Sequence, residues 1–140
     1  MTTKHIVHRM TLRSNPKQIQ KVEPFLKKVN RSVRLDEIKM HKMMVSLTEA
    51  VNNAIIHGNR SIAEKKVHVR CEILPGWLVV FVSDEGEGFE LSKVRNPLRK
   101  RNLMRENGRG IFLMKTLMDK VEFETDSSGT QVALWLDTNK

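Results

Sequence analysis

The chain has 140 residues, one cysteine and a formal net charge of +9. That length fits a single domain, one thiol rules out an internal disulfide, and no paired Cys/His spacing of the structural-zinc kind appears. No apolar run approaches the roughly 20 residues that span a bilayer, and Met1-Thr-Thr-Lys-His5 lacks a signal-peptide core, so a reducing cytoplasm and no membrane partner are expected.

Taken in chain order, residues 4–12 alternate in polarity and predict a strand at a sheet edge. Asn15-Pro16 reads as a helix start, with Asn15 as N-cap and Pro16 in the first position. Ile19, Val22, Leu26, Val29 and Val33 then recur at helical spacing, and Pro24 predicts a kink or a restart. Asp36 is placed to cap a second helix reaching about Ile56, with Met40, Met44, Leu47, Val51 and Ala54 as its apolar stripe. His57-Gly58 ends it, with Gly58 suited to a left-handed C′ position. Val67, Val69, Cys71 and Ile73 alternate with polar residues as in a half-buried strand. Pro75-Gly76 is a turn, and residues 77–83, apolar on both faces, predict a central strand. Residues 85–108 are irregular and rich in glycine and charge, a length that suits a functional loop. A helix from Arg109 to about Asp119 and two strands, 120–125 and 130–136, complete the chain. The order β-α-α-β-β-loop-α-β-β is α+β, with helices covering one face of a mostly antiparallel sheet.

Several clusters carry possible chemistry. Glu49 and Asn53 lie four residues apart on one helix face, roughly opposite the Met40–Leu47–Val51 stripe. Val45 and Ile56 share that side, so a further element is expected to cover it. Asp84-Glu85-Gly86-Glu87-Gly88 follows the apolar strand, placing a carboxylate acceptor where glycines let a ligand approach the backbone. Such an acceptor suits the exocyclic amine of adenine. Asn107-Gly108-Arg109-Gly110-Ile111 opens a helix, where free N–H groups and an arginine suit an anion. Thr130 begins the last strand, with a hydroxyl able to add a contact to the base. Each cluster has a plainer reading: a solvated polar pair, an acidic turn, an ordinary loop-to-helix junction.

There is no P-loop, no Rossmann glycine set and no HRD/DFG pair. The basic residues are spread along the chain, apart from Arg95, Arg99, Lys100, Arg101 and Arg105, and no nucleic-acid-binding motif accompanies them. Direct binding of nucleic acid is therefore disfavoured, though the charge alone would permit it.

In order and spacing the clusters resemble the three boxes of the GHKL (Bergerat-fold) ATPases. Glu49-Ala-Val-Asn-Asn53-Ala-Ile-Ile-His57-Gly58 resembles the N box, Asp84-Glu-Gly-Glu-Gly88-Phe89 the first glycine box, and Asn107-Gly-Arg-Gly-Ile-Phe-Leu-Met114 the second. The Glu-Ala-x-x-Asn spacing and the Gly-Arg-Gly…Leu-Met-Asp run are most similar to the anti-sigma-factor serine/threonine kinases. Each box alone is a weak signal; three in order over roughly residues 35 to 136 are a strong one.

The resemblance implies one histidine-kinase-like ATPase domain over residues 1–140. Its fold would be a Bergerat-type two-layer α/β sandwich, with a mixed, mostly antiparallel sheet covered on one face by helices and an ATP lid at about 88–108. It implies ATP and Mg²⁺ as ligands. Glu49 would be the catalytic base, and Asn53 would bind the nucleotide and hold the metal. Asp84 would hold adenine, and Thr130 would add to the base contact. Gly86 and Gly88 would allow close approach, and Gly108, Arg109 and Gly110 would hold phosphates. Asn52, at i+3 from Glu49, is the rival of Asn53, and the family spacing of four selects Asn53. The implied substrate is a STAS-domain anti-anti-sigma protein, and the implied second partner is a sigma factor, sequestered by a homodimer. The lid stretch Leu98–Arg105 is more basic than the commoner pattern. No phosphoacceptor histidine box precedes the domain, and His41 shares the helix of Glu49, both of which speak against a sensor kinase. Two other readings stand beside the kinase: an ATP-gated partner-switch module without kinase turnover, and a basic nucleic-acid binder.

Overall fold

A computed structural model describes residues 5–86 and 109–139. The first strand, β1 (Ile6–Arg13), leads into a 3₁₀ turn (Pro16–Lys21) and helix α1 (Val22–Val33). Asn15 caps the 3₁₀ turn, its side chain accepting from the Lys17 N–H. The helix restarts at Val22, so Pro24 falls in the first turn of α1, where its missing N–H had no partner to lose.

Helix α2 (Glu37–Asn53) is capped by Asp36, whose carboxylate accepts from the Lys39 N–H at 2.8 Å. It packs against α1 on one side and the sheet on the other. Met43, Leu47, Ala50 and Val51 are fully buried, while Met40 and Met44 sit half-buried at the margins. The buried face is therefore broader than the expected Met40–Met44–Leu47–Val51 stripe and centred about one residue to its side, because two layers press on the helix. Each fully buried Leu or Met contributes about 1.5–3 kcal/mol.

The end of this helix departs from expectation. α2 runs into one π turn (Ala54–Gly58), and Asn59 follows at φ −89. Gly58 is not in the left-handed region; Arg60 (φ 52) and Ser61 (φ 56) are. Gly58 is needed for a different reason, which lies in the site.

Strands β2 (Lys66–Leu74) and β3 (Trp77–Ser83) form a hairpin about Pro75-Gly76, with Gly76 at φ 79. Helix α3 is described over residues 109–117. Strands β4 (Lys120–Asp126) and β5 (Gly129–Asp137) form the last hairpin, closed by Asp126 accepting from the Ser128 N–H and hydroxyl. The sheet order is β1-β2-β3-β5-β4. β1 is an edge strand and β3 the central one, as the apolar pattern predicts. All four pairings are antiparallel, so the described sheet is not mixed.

Register places Leu12, Val67, Val69, Cys71, Leu78, Val80, Val82, Val132, Leu134 and Leu136 on the helix-covered face. The other face carries Arg70 stacked over Phe81 and a Trp77–Trp135 edge-to-face pair. Cys71 is buried, and desolvation pushes its thiol up to about 12, so it is a packing residue rather than a nucleophile. Among the described residues, no helix is long and apolar enough to cross a membrane.

Candidate functional site

The helical run Glu37–Gly58 carries one end of the site, and the strand-end loop after β3 carries the other. Glu49 and Asn53, one turn apart, are both half-buried. The element covering their face is α3. Gly110 is buried against the pair: a Cβ built there would lie 3.0 Å from Glu49 Oε2 and 3.1 Å from Asn53 Nδ2. An apolar neighbour at that point would fill the gap and displace the carboxylate. Gly110 thus lets α3 close on α2 while leaving two polar groups side by side. Arg109, the preceding residue, is exposed.

Five residues beyond Asn53, Gly58 touches Asp84. A Cβ on Gly58 would overlap the Asp84 carboxylate, and a Cβ on Gly86 would overlap the Gly58 carbonyl oxygen. The end of the π turn and the loop after β3 therefore meet with no room for a Cβ on either, which explains Gly58 and Gly86 by clearance. Gly129 is held for two reasons: its φ is +143, and a Cβ there would overlap the Asp84 carbonyl oxygen.

Asp84 is fixed by main chain alone. Its Oδ1 accepts from the Gly86 N–H and the Thr130 N–H, each at 3.0 Å. Its own N–H donates to the Thr130 carbonyl. Among the described residues no donor reaches Oδ2. Burial raises the Asp84 pKa above the ordinary carboxylate range, and the two backbone N–H groups oppose that rise. Thr130 meets Asp84 through its backbone, while its hydroxyl lies 3.0 Å from Thr125 Oγ1. A hollow of about 230 Å³ opens beside Asp84 toward the β4–β5 turn, lined also by Ser83, Glu124, Asp126 and Gln131. Its carboxylates repel phosphate, and it does not include Glu49, Asn53 or Gly110, so it is not the full nucleotide cavity.

Of the residues singled out from the sequence, Glu49, Asn53 and Gly110 form one contact group, and Asp84, Gly86 and Thr130 a second. Both groups rest on the same helical run, through Asn53 and Gly58. Gly88, Gly108 and the lid at 88–108 lie outside the described residues.

Sequence reasoning missed Asn59, Ser14 and Glu85. Asn59 is fully buried and accepts the Glu85 N–H at 2.8 Å. The Glu85 carboxylate accepts from the Lys66 N–H and meets His68 Nε2, contacts that lower its pKa, the His68 bond most. No periodicity marks an isolated asparagine after a helix end, and a single polar residue in a loop is silent until the fold gives it partners.

Comparison with known proteins agrees with this geometry. The histidine kinase-like ATPase domain family matches residues 12–136. An anti-sigma F factor of Clostridium botulinum (strain Eklund 17B / Type B) is 35% identical over 103 residues, covering 71% of each chain. Serine-protein kinase RsbW of Bacillus subtilis (strain 168) is 33% identical over 105 residues, covering 71% of this chain and 64% of that one. Among solved structures, the RsbU and RsbW domains of a Mycobacterium tuberculosis protein superpose with TM-score 0.69 at 16% identity, over 94% of this chain and 32% of that one. A histidine kinase domain from Erythrobacter litoralis EL346 superposes with TM-score 0.52 at 16% identity, over 86% of this chain and 60% of that one. At those identities the superpositions speak for the fold alone. The chain belongs to the histidine kinase-like ATPase domain family, in the group that holds the anti-sigma F factors and the RsbW serine-protein kinases.

Proposed function

We propose that this chain is an ATP-dependent serine/threonine protein kinase and anti-sigma factor that phosphorylates a STAS-type anti-anti-sigma protein. The observation that carries this reading is the packing of Glu49 and Asn53 side by side against Gly110, on the helical run that ends on Asp84. The proposed base and metal-facing amide thereby sit on one helical run, whose end at Gly58 meets the proposed adenine acceptor in the loop after β3. Names of relatives, one an anti-sigma F factor and one a serine-protein kinase, support both halves of the activity. The sigma factor and the STAS protein are the proposed partners, the homodimer the proposed assembly, and the cytoplasm the proposed setting.

In this mechanism Asp84 accepts a hydrogen bond from the adenine amine through Oδ2, the oxygen its backbone partners leave over. Gly86 and Gly88 give the base room, and the Thr130 hydroxyl adds a contact to it. Gly108, Arg109 and Gly110 present N–H groups and a guanidinium to the phosphates. Glu49 accepts the proton of the attacking serine or threonine hydroxyl. As the new O–P bond forms, the bond from the γ-phosphorus to the β–γ bridging oxygen breaks and ADP departs. The Asn53 amide oxygen beside the Glu49 carboxylate is a hard-donor set that fits Mg²⁺. When bound, that ion neutralises phosphate charge.

The test is phosphoryl transfer from Mg-ATP to a purified STAS-domain protein by the Glu49→Gln variant. Transfer should fall about 10²–10⁴-fold, as expected for loss of a general base, with Mg-ATP affinity within a few fold of wild type. Transfer at the wild-type rate removes Glu49 from the chemistry. Tight ATP binding by the wild type without transfer to any STAS protein favours the partner-switch module instead.

A further inference from the structure

We propose that Asn59 is the positioning residue of Asp84, holding the strand-end loop in its nucleotide-ready shape whether or not nucleotide is present. This rests on the reading of Asp84 as the adenine acceptor. Asn59 is fully buried, and every polar group it owns has a partner. Its Oδ1 accepts the Glu85 N–H at 2.8 Å. Its Nδ2 donates to Ser14 Oγ at 2.8 Å and to the Lys66 carbonyl at 3.0 Å. Its own N–H donates to the Ala54 carbonyl, and its carbonyl accepts from Ile62. The amide orientation is not a free choice: a backbone N–H must face the oxygen and a backbone carbonyl must face the nitrogen.

The partners are spread across the fold. Ser14, also fully buried, directly follows β1 and donates to the Lys65 carbonyl at 2.6 Å. Lys66 begins β2, and Glu85 directly follows Asp84. One side chain thus ties the end of the π turn, the end of β1, the start of β2 and the loop after β3 into a single buried node. Glu85 is held a second time from outside, by the Lys66 N–H and His68. With the Glu85 peptide fixed, the Gly86 N–H is fixed, and it is one of the two donors that set Asp84 Oδ1. The other, Thr130, belongs to β5 and cannot set the loop by itself. Asn59 therefore acts through the Glu85 and Gly86 peptides on which way Oδ2 faces. Among the described residues none of its hydrogen bonds reaches Glu49, Asn53 or Gly110, so proton transfer is separable from its role.

The experiment compares affinities for ATP and for inosine triphosphate, which carries an oxo group where adenine carries the amine, in wild type and Asn59→Ala. Losing the tie should weaken ATP binding roughly five- to twentyfold, the range of one buried hydrogen bond, and leave inosine triphosphate nearly unchanged. The ATP preference then falls by that same factor, KM for ATP rises, and kcat at saturation stays within about twofold. In an Asp84→Asn background, Asn59→Ala should weaken ATP binding no further. A merely structural asparagine would lower the melting temperature and weaken both nucleotides alike; that result, or an unchanged ATP preference, overturns the proposal. If Asn59→Ala does not fold, Ser14→Ala decides. It removes one acceptor of Nδ2, and should reduce the ATP preference about two- to fivefold, an unchanged preference again overturning it. A wild type with no preference for ATP would instead sink the reading of Asp84 itself.

Discussion

At the scale of single residues, the site is a matter of clearance. Gly110 has no room for a side chain without moving Glu49 or Asn53. Gly110→Ala should leave stability within about 1 kcal/mol of wild type, because the gain in helix propensity offsets the crowding. Phosphoryl transfer should still fall by roughly tenfold or more, since a displacement of the proposed base Glu49 by a fraction of an ångström is enough. Thermal melts and single-turnover transfer on the same sample check both halves. The two neighbouring acids, Asp84 and Glu85, are pushed in opposite directions. Burial raises Asp84, so its neutral form contributes stability below its ordinary 3.8 that is lost as pH climbs through the raised folded value. The His68 and Lys66 contacts lower Glu85, so its charged form contributes stability above its ordinary 4.5 that is lost as pH falls through the lowered folded value. Glu85→Gln should therefore lower the melting temperature at neutral pH and flatten the acid limb of stability below 4.5. An acid limb as steep as that of wild type would remove Glu85 from the account.

Among the elements, α2 carries the core on one side and the proposed base and metal-facing amide, Glu49 and Asn53, on the other. Leu47, fully buried, belongs to the core side, and Leu47→Ala should cost about 2–5 kcal/mol in chemical denaturation. At the N-terminus of the same helix, Asp36→Ala removes one exposed capping bond and should cost about 1 kcal/mol. Neither residue touches the site, so both variants should transfer phosphate at wild-type rates below their melting temperatures. A tenfold loss of transfer in folded Asp36→Ala would mean that helix position, and not just helix stability, depends on the cap. At its far end α2 does what no cap rule predicts. The chain widens into a π turn so that Gly58 can lie on Asp84, a tertiary demand that overrides the usual glycine C-cap.

For the whole molecule, nucleotide binding is linked to folding. A ligand bound only by the folded state at about 100 times its dissociation constant adds about 2.7 kcal/mol. Mg-ATP should therefore raise the melting temperature of the wild type by several degrees and that of Asp84→Asn by much less at the same concentration, as read by differential scanning fluorimetry. An equal shift in both would place the base elsewhere. Within one chain, the amino-acid order alone determined what depends on near neighbours. This includes the alternating strand beginning at Val67, the two-faced apolar strand 77–83, the caps at Asn15 and Asp36, and the Glu49–Asn53 pairing one helical turn apart. The order of the boxes also made the family legible. Only the tertiary structure decided what depends on residues far apart in sequence. The wider buried face of α2 came from two layers pressing on it. The clearance roles of Gly58, Gly86 and Gly110 came from other segments arriving against them. In the node of Asn59, Ser14 and Glu85, the hydrogen bonds of Asn59 reach 45 residues back to Ser14 and 26 residues on to Glu85. Periodicity and capping are local consequences of backbone geometry and can be read in a line of letters. A buried polar partner or a missing Cβ has meaning only once long-range packing brings its neighbour into place.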